Sequence, residues 1–162
     1  MSLVIFAWGN PSRGDDGVGP WFAGRLRGQG GFGLVEDFQL QVEHLLDCRE
    51  GSLLLFIDAH CNGGRDFQFS EITPAATISH TSHALSPAEL LGYYHRVFGK
   101  QPPPAFALTV PGQQFDLGSD MSAATLACCR RTAHWLQPLL AVPDPAQWRK
   151  HSTLAMDGGK HL

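Results

Sequence analysis

Apolar positions along this 162-residue chain change their period at regular intervals. Residues 2–8, "SLVIFAW", form a short continuous apolar run closed by Gly9, which predicts a buried strand. Residues 16–28 switch to a helical spacing, with Val18, Trp21, Phe22 and Leu26 on one side. Asp15 or Asp16 then falls at the N-cap or in the first turn, where carboxylates are favoured. "GLVEDFQ" at 33–39 predicts a second strand, and "QVEHLLDCREG" at 41–51 a short helix ending on Gly51. "SLLLFIDA" at 52–59 is the clearest central strand, apolar throughout and closed by an acid. Residues 65–72 alternate and predict an edge strand or hairpin arm. Ser86, Pro87 and Glu89 form a capping-box start for a helix over 86–99. A strand over 105–110 and a long helix over about 119–140 complete the pattern. The segment 141–162 is proline-rich, then polar, and reads as a loose or surface-draped tail.

Strands that alternate with helices predict a single α/β domain over residues 1–140, followed by the tail 141–162. The expected architecture has three layers, α/β/α, around a mostly parallel, twisted sheet of about five strands. In such sheets ligands gather beyond the carboxyl ends of the strands. That rule selects the loop 9–17, the loop 58–64 and the segment 77–86.

Composition narrows the class. With 43% hydrophobic and 17% charged residues the chain is globular rather than disordered. A formal net charge of -3 offers no basic field for nucleic acid and no polybasic patch for a membrane surface. No apolar run approaches the roughly 20 residues of a membrane helix. The N-terminus reads as a strand rather than a signal peptide, so a cytoplasmic location is expected. Cys48, Cys61, Cys128 and Cys129 form no C-x-x-C pair, which argues against a zinc knuckle and for free, packed thiols.

Each selected loop carries polar residues that a structural role does not demand. These are Asp15 and Asp16 in the first, Asp58 in the second, and His80 and His83 in the third. Taken singly, each has a plainer use: Asp16 as a helix N-cap, Asp58 as a turn cap, His83 as a surface residue ahead of a helix. Together, two carboxylates and an imidazole can ligate a divalent ion or serve as a general acid/base pair. His60 is a rival ligand beside Asp58, expected to lie outside the cluster with His80. His95, His134, His151 and His161 read as scattered surface residues. The glycines of the first loop do not spell G-x-G-x-x-G, and there is no G-K-[ST], which argues against a nucleotide-binding domain. No Ser stands in a G-x-S-x-G elbow, and no Cys has the context of a nucleophile.

"GNPSRGDDGVG", "FIDAH" and "TSHALSPAELL" together resemble the hydrogenase maturation endopeptidase family, over roughly residues 2–140. "FQLQVEHLLD" and "HALSP" look like the branch serving soluble, NAD-reducing nickel–iron hydrogenases. The resemblance implies a peptidase that clips a C-terminal peptide from the hydrogenase large-subunit precursor once nickel is inserted. It carries three functional positions onto Asp16, Asp58 and His83, as a cluster meeting the nickel held by the substrate. Free protein is then expected to hold nickel weakly, the precursor supplying the remaining ligands. Hydrolysis by a metal-polarised carbonyl and by carboxylate-activated water both remain open. A metal checkpoint or chaperone that binds the loaded precursor without cutting it is the alternative. The chain departs from the family pattern at Ala7, where glycine is usual, and at Asp16, where the longer Glu is common.

Overall fold

The computed structural model describes residues 1–61, 63–77 and 84–153. Five strands form one sheet: β1 (Ser2–Trp8), β2 (Gly33–Asp37), β3 (Ser52–His60), β4 (Gln68–Glu71) and β5 (Ala105–Pro111). Their spatial order is β2-β1-β3-β5-β4. The first four in that order run parallel, and β4 pairs antiparallel with β5 at the edge. Among the described residues four α-helices complete the fold: α1 (Val18–Leu26), α2 (Pro87–Phe98), α3 (Ala123–Ala141) and α4 (Pro145–Arg149).

The unbroken apolar runs of β1 and β3 reflect burial on both faces, as a covered parallel sheet requires. Leu3, Ile5, Leu53, Leu55 and Ile57 point to one side and pack with Phe22 and Leu26 of α1 and Leu136 of α3. Val4, Phe6, Leu54 and Phe56 point to the other and pack with Leu40, Leu45, Leu90, Leu91 and Tyr94. The three-layer α/β arrangement expected from the pattern is therefore the one observed.

Local departures have local causes. The helix expected from residue 16 starts at Val18, after a 3-10 turn over Gly14–Gly17, and Gly17 stands at its N-cap with no side-chain cap bond. Asp15 and Asp16 lie in that preceding turn, free for other work. The helix expected over 41–51 is only a 3-10 stretch, Val42–Asp47. Its apolar residues are too few to hold a longer helix against the sheet. Ser86 and Glu89 do form the expected capping box at the start of α2.

The segment after residue 140 is not loose through Thr153. Trp148 of α4 is fully buried, and its indole N–H donates to the carbonyls of Leu139 (3.0 Å) and Val142 (3.2 Å). Its ring meets Phe106 and Phe69 at centroid distances of 5.4 and 5.8 Å. Arg149 forks onto Glu71 with bonds of 2.8 and 2.9 Å. Prolines and polar residues suggest a solvated tail, but one tryptophan carries enough apolar surface to dock it.

Candidate active site

β1 sits between β2 and β3, so the connections from its neighbours leave in opposite directions. This switch point sets the carboxyl ends of β1 and β3 at the rim where ligands of such sheets bind. Asp16 follows β1 and Asp58 stands near the end of β3.

The turn that delivers Asp16 depends on backbone shapes open only to glycine. Gly9 has φ +146°, and a Cβ built on it would lie 2.1 Å from the Asp16 carbonyl oxygen. The chain thus folds back directly onto the strand exit. The Asn10 N–H then donates to Asp16 Oδ2 at 2.7 Å, fixing the carboxylate.

Asp15 does different work. It is fully buried and accepts from the backbone N–H groups of Gln113 (2.8 Å), Gln114 (3.0 Å) and Ser122 (2.7 Å), and from Ser122 Oγ (2.9 Å). Burial alone would raise its pKa, but these donors outweigh it and hold the carboxyl below its ordinary value. Asp15 therefore ties the loop between β5 and α3 to the Asp16 turn. Gly14 N–H to Ser119 O (3.0 Å) and Gly118 N–H to Ser12 O (2.7 Å) reinforce the same seam.

Asp58 is half-buried, and its Oδ1 accepts from the Ala59 N–H at 2.8 Å. Burial, with the negative charge of Asp16 adding to it, pushes its pKa up to about 7. The structure thus brings Asp16 and Asp58 within electrostatic reach of each other. The chemistry open to such a pair is proton exchange near neutral pH, or joint donation of oxygen ligands to a cation.

His80 and His83 lie outside the described residues. His60, two residues beyond Asp58, shares its face of β3. Its Nε2 is sealed from solvent without a partner among the described residues, and burial lowers its pKa. Among the described residues no group of three or more His, Cys, Asp or Glu side chains could hold a metal ion. Cys48, Cys128 and Cys129 are buried free thiols, and burial pushes Cys48 and Cys129 up to about 12, so neither supplies a thiolate. A separate hollow of about 550 Å³, lined by His134, Trp135, Leu139 and His151, includes neither Asp16 nor Asp58.

Sequence reasoning paired Asp16 with Asp58, which the structure sets within electrostatic reach of each other, and left Asp15 between two roles, capping the helix or ordering a loop. It missed Gln113, Gln114 and Ser122, whose backbone donors lie about 100 positions away and have no side-chain signature.

No family sequence model matches the chain, and no curated protein matches it by sequence. Solved structures do match. The hydrogenase maturating endopeptidase HybD from E. coli superposes with a TM-score of 0.68 at 16% identity, over 86% of this chain and 92% of that one. The nickel–iron hydrogenase maturation protease HycI from Thermococcus kodakarensis gives 0.64 at 20% identity, over 86% and 92%. A hydrogenase 2 maturation peptidase from a Thaumarchaeota archaeon gives 0.59 at 16%, over 86% and 98%. The chain has the hydrogenase maturation endopeptidase fold. Among the described residues, no helix is long and apolar enough to cross a membrane.

Proposed function

We propose that the protein is an endopeptidase that removes a C-terminal peptide from the nickel-loaded precursor of a nickel–iron hydrogenase large subunit. The observation that carries this reading is the pairing of Asp16 with Asp58, whose pKa rises to about 7, at the switch point of the sheet. The likeness of fold to known maturation endopeptidases supports it. The segments "FQLQVEHLLD" and "HALSP" favour a precursor from the soluble, NAD-reducing class.

Asp16, Asp58 and His83 are the residues assigned to meet the nickel. The metal is part of the substrate here, not a resident cofactor. Two carboxylates and one imidazole include no soft donor, so free protein holds nickel weakly and the precursor brings the rest of the coordination shell. The two partial shells complete each other, so nickel strengthens precursor binding and precursor strengthens nickel binding by the same factor.

The carboxylate pair supplies the proton chemistry of hydrolysis. An ionised carboxylate takes a proton from the attacking water as the oxygen bonds to the scissile carbonyl carbon. A protonated partner gives its proton to the amide nitrogen as the C–N bond breaks. Asp58, titrating near neutral pH, suits the donor role and Asp16 the acceptor role.

The test is to incubate purified protein with nickel-loaded and nickel-free precursor and to weigh the large subunit. The loaded form should lose its peptide and the empty form should stay intact. Asp16→Ala and His83→Ala should abolish cutting while the protein stays folded. Efficient cutting of the empty precursor would remove nickel from recognition. Binding of the loaded form without any loss of mass would mean a checkpoint rather than a peptidase.

A further inference from the structure

The two edges of the sheet are finished differently. The outer edge of β4 is closed by the chain itself: Thr153 N–H donates to Phe69 O (2.8 Å), and Phe69 N–H donates to Thr153 Oγ1 (2.8 Å). Ser152 Oγ adds a bond to Phe69 O at 3.2 Å. Among the described residues β2, at the opposite edge, pairs with β1 alone. Among the described residues, no backbone group from Gly33 to Glu36 bonds to anything beyond β1. A row of unpaired N–H and C=O groups is a template for another strand.

We propose that the open edge of β2 receives the C-terminal extension of the precursor as a sixth strand, which carries the scissile peptide to Asp16 and Asp58. The proposal rests on the endopeptidase reading above and names how its substrate is held.

Three features support that occupant. First, the carboxyl end of β2 runs directly into the site, since Gly9 N–H, at the start of the Asp16 loop, donates to Asp37 O at 3.1 Å. A sixth strand would lie two strand spacings, about 10 Å, from β1. About three extended residues cover that distance. Second, a groove of about 410 Å³ opens alongside, between Gly9, Pro11, Pro20, Asp37 and Phe38. Its Gly9 and Pro11 wall belongs to the same loop that fixes Asp16 through Asn10. Third, the charges around the groove are already engaged. Arg27 holds Glu36 (Nε to Oε2, 2.8 Å), and His44 Nε2 stands 3.3 Å from Asp37 Oδ2. The larger share of what remains open is apolar, with Phe38 67% exposed at the mouth. The extension therefore places an apolar side chain in the groove while its main chain pairs with β2.

Hydrogen exchange read by mass spectrometry tests this. Asp58→Asn protein, expected not to cut, is mixed with nickel-loaded precursor and, separately, with the loaded large subunit ending at its mature terminus. Amides of residues 33–37 should exchange at least about tenfold more slowly with the first and not with the second. In the wild-type background, Phe38→Glu should raise KM about tenfold with kcat nearly unchanged and with no loss of thermal stability. Wild-type cutting without protection of β2 would overturn the proposal. So would equal protection by the mature-length subunit, which makes the body of the subunit the occupant. Protection that grows with protein concentration alone would mean a second copy of this chain. Failure of wild type to cut loaded precursor, with β2 protected by the extension, would sink the peptidase reading and leave the docking edge standing.

Discussion

Asp58, shielded from water near the end of β3, faces the negative charge of Asp16 from the turn after β1, and its pKa rises to about 7. The folded protein therefore keeps a proton on Asp58 that the unfolded chain releases near pH 4. Native protein binds more protons than unfolded protein between about pH 4 and 7, so this group's contribution to stability falls as pH rises through that window. The loss is complete above about pH 7 and is on the order of 4 kcal/mol. Asp58→Asn should accordingly stabilise the free protein at pH 8 and change little at pH 4, in denaturant unfolding at both values. A variant no more stable than wild type at pH 8 would mean that Asp58 is not strained in the free state.

Asp16→Asn removes the charge but not the burial. The Asp58 pKa should fall part of the way toward the ordinary carboxylate range, because burial is the larger cause. A carboxyl-carbon NMR titration reads this directly, and an unmoved pKa would separate the two residues electrostatically.

Asp15 should behave as a structural residue. Asp15→Ala leaves the backbone N–H groups of Gln113, Gln114 and Ser122 without their acceptor. Each part-buried donor left without its acceptor costs about 1 kcal/mol, so a loss on the order of 3 kcal/mol is expected. Its depressed pKa gives the opposite pH signature to Asp58. The stabilisation is present above about pH 4 and lost as pH falls through the lower folded value. A fully folded, inactive Asp15→Ala protein would move Asp15 into the chemistry instead.

Gly9→Ala should cripple both fold and site. The added Cβ meets the Asp16 carbonyl at 2.1 Å from a backbone at φ +146°. Strain of this kind costs about 1–3 kcal/mol from the backbone alone, before the clash is relieved. The expected result is a lower melting temperature and lost processing, with the Asn10–Asp16 bond broken. Unchanged processing would show that the turn tolerates a different path.

Trp148→Ala should cost about 3–5 kcal/mol by thermal or denaturant unfolding, the range for emptying a buried aromatic site. A chain stopped after Ala141 should lose at least as much, since the cover over the β4 edge leaves with it. A loss under 1 kcal/mol in either would restore the loose-tail expectation.

The sequence by itself determined the strand and helix order, because covered strands and helix faces write their periods into the chain. It also put Asp16 and Asp58 at one rim of the sheet, because both follow apolar runs that end on the same side of parallel strands. Spacing cannot say which strand neighbours which, and only the tertiary structure put β1 between β2 and β3 and so set the switch point beside them. Two adjacent acids look alike in a motif. Asp15 became a brace because its carboxylate reaches backbone donors from a loop about 100 residues on, whereas Asp16, among the described residues, takes the local Asn10 contact and turns its charge toward Asp58. The fate of residues 141–153 was likewise tertiary. Composition averages a segment, while docking turns on whether one side chain, here Trp148, finds a cavity of its own size. The sheet's open edge was decided in the same way. Which strand keeps unpaired backbone groups depends on what the rest of the chain covers, and no local pattern records it.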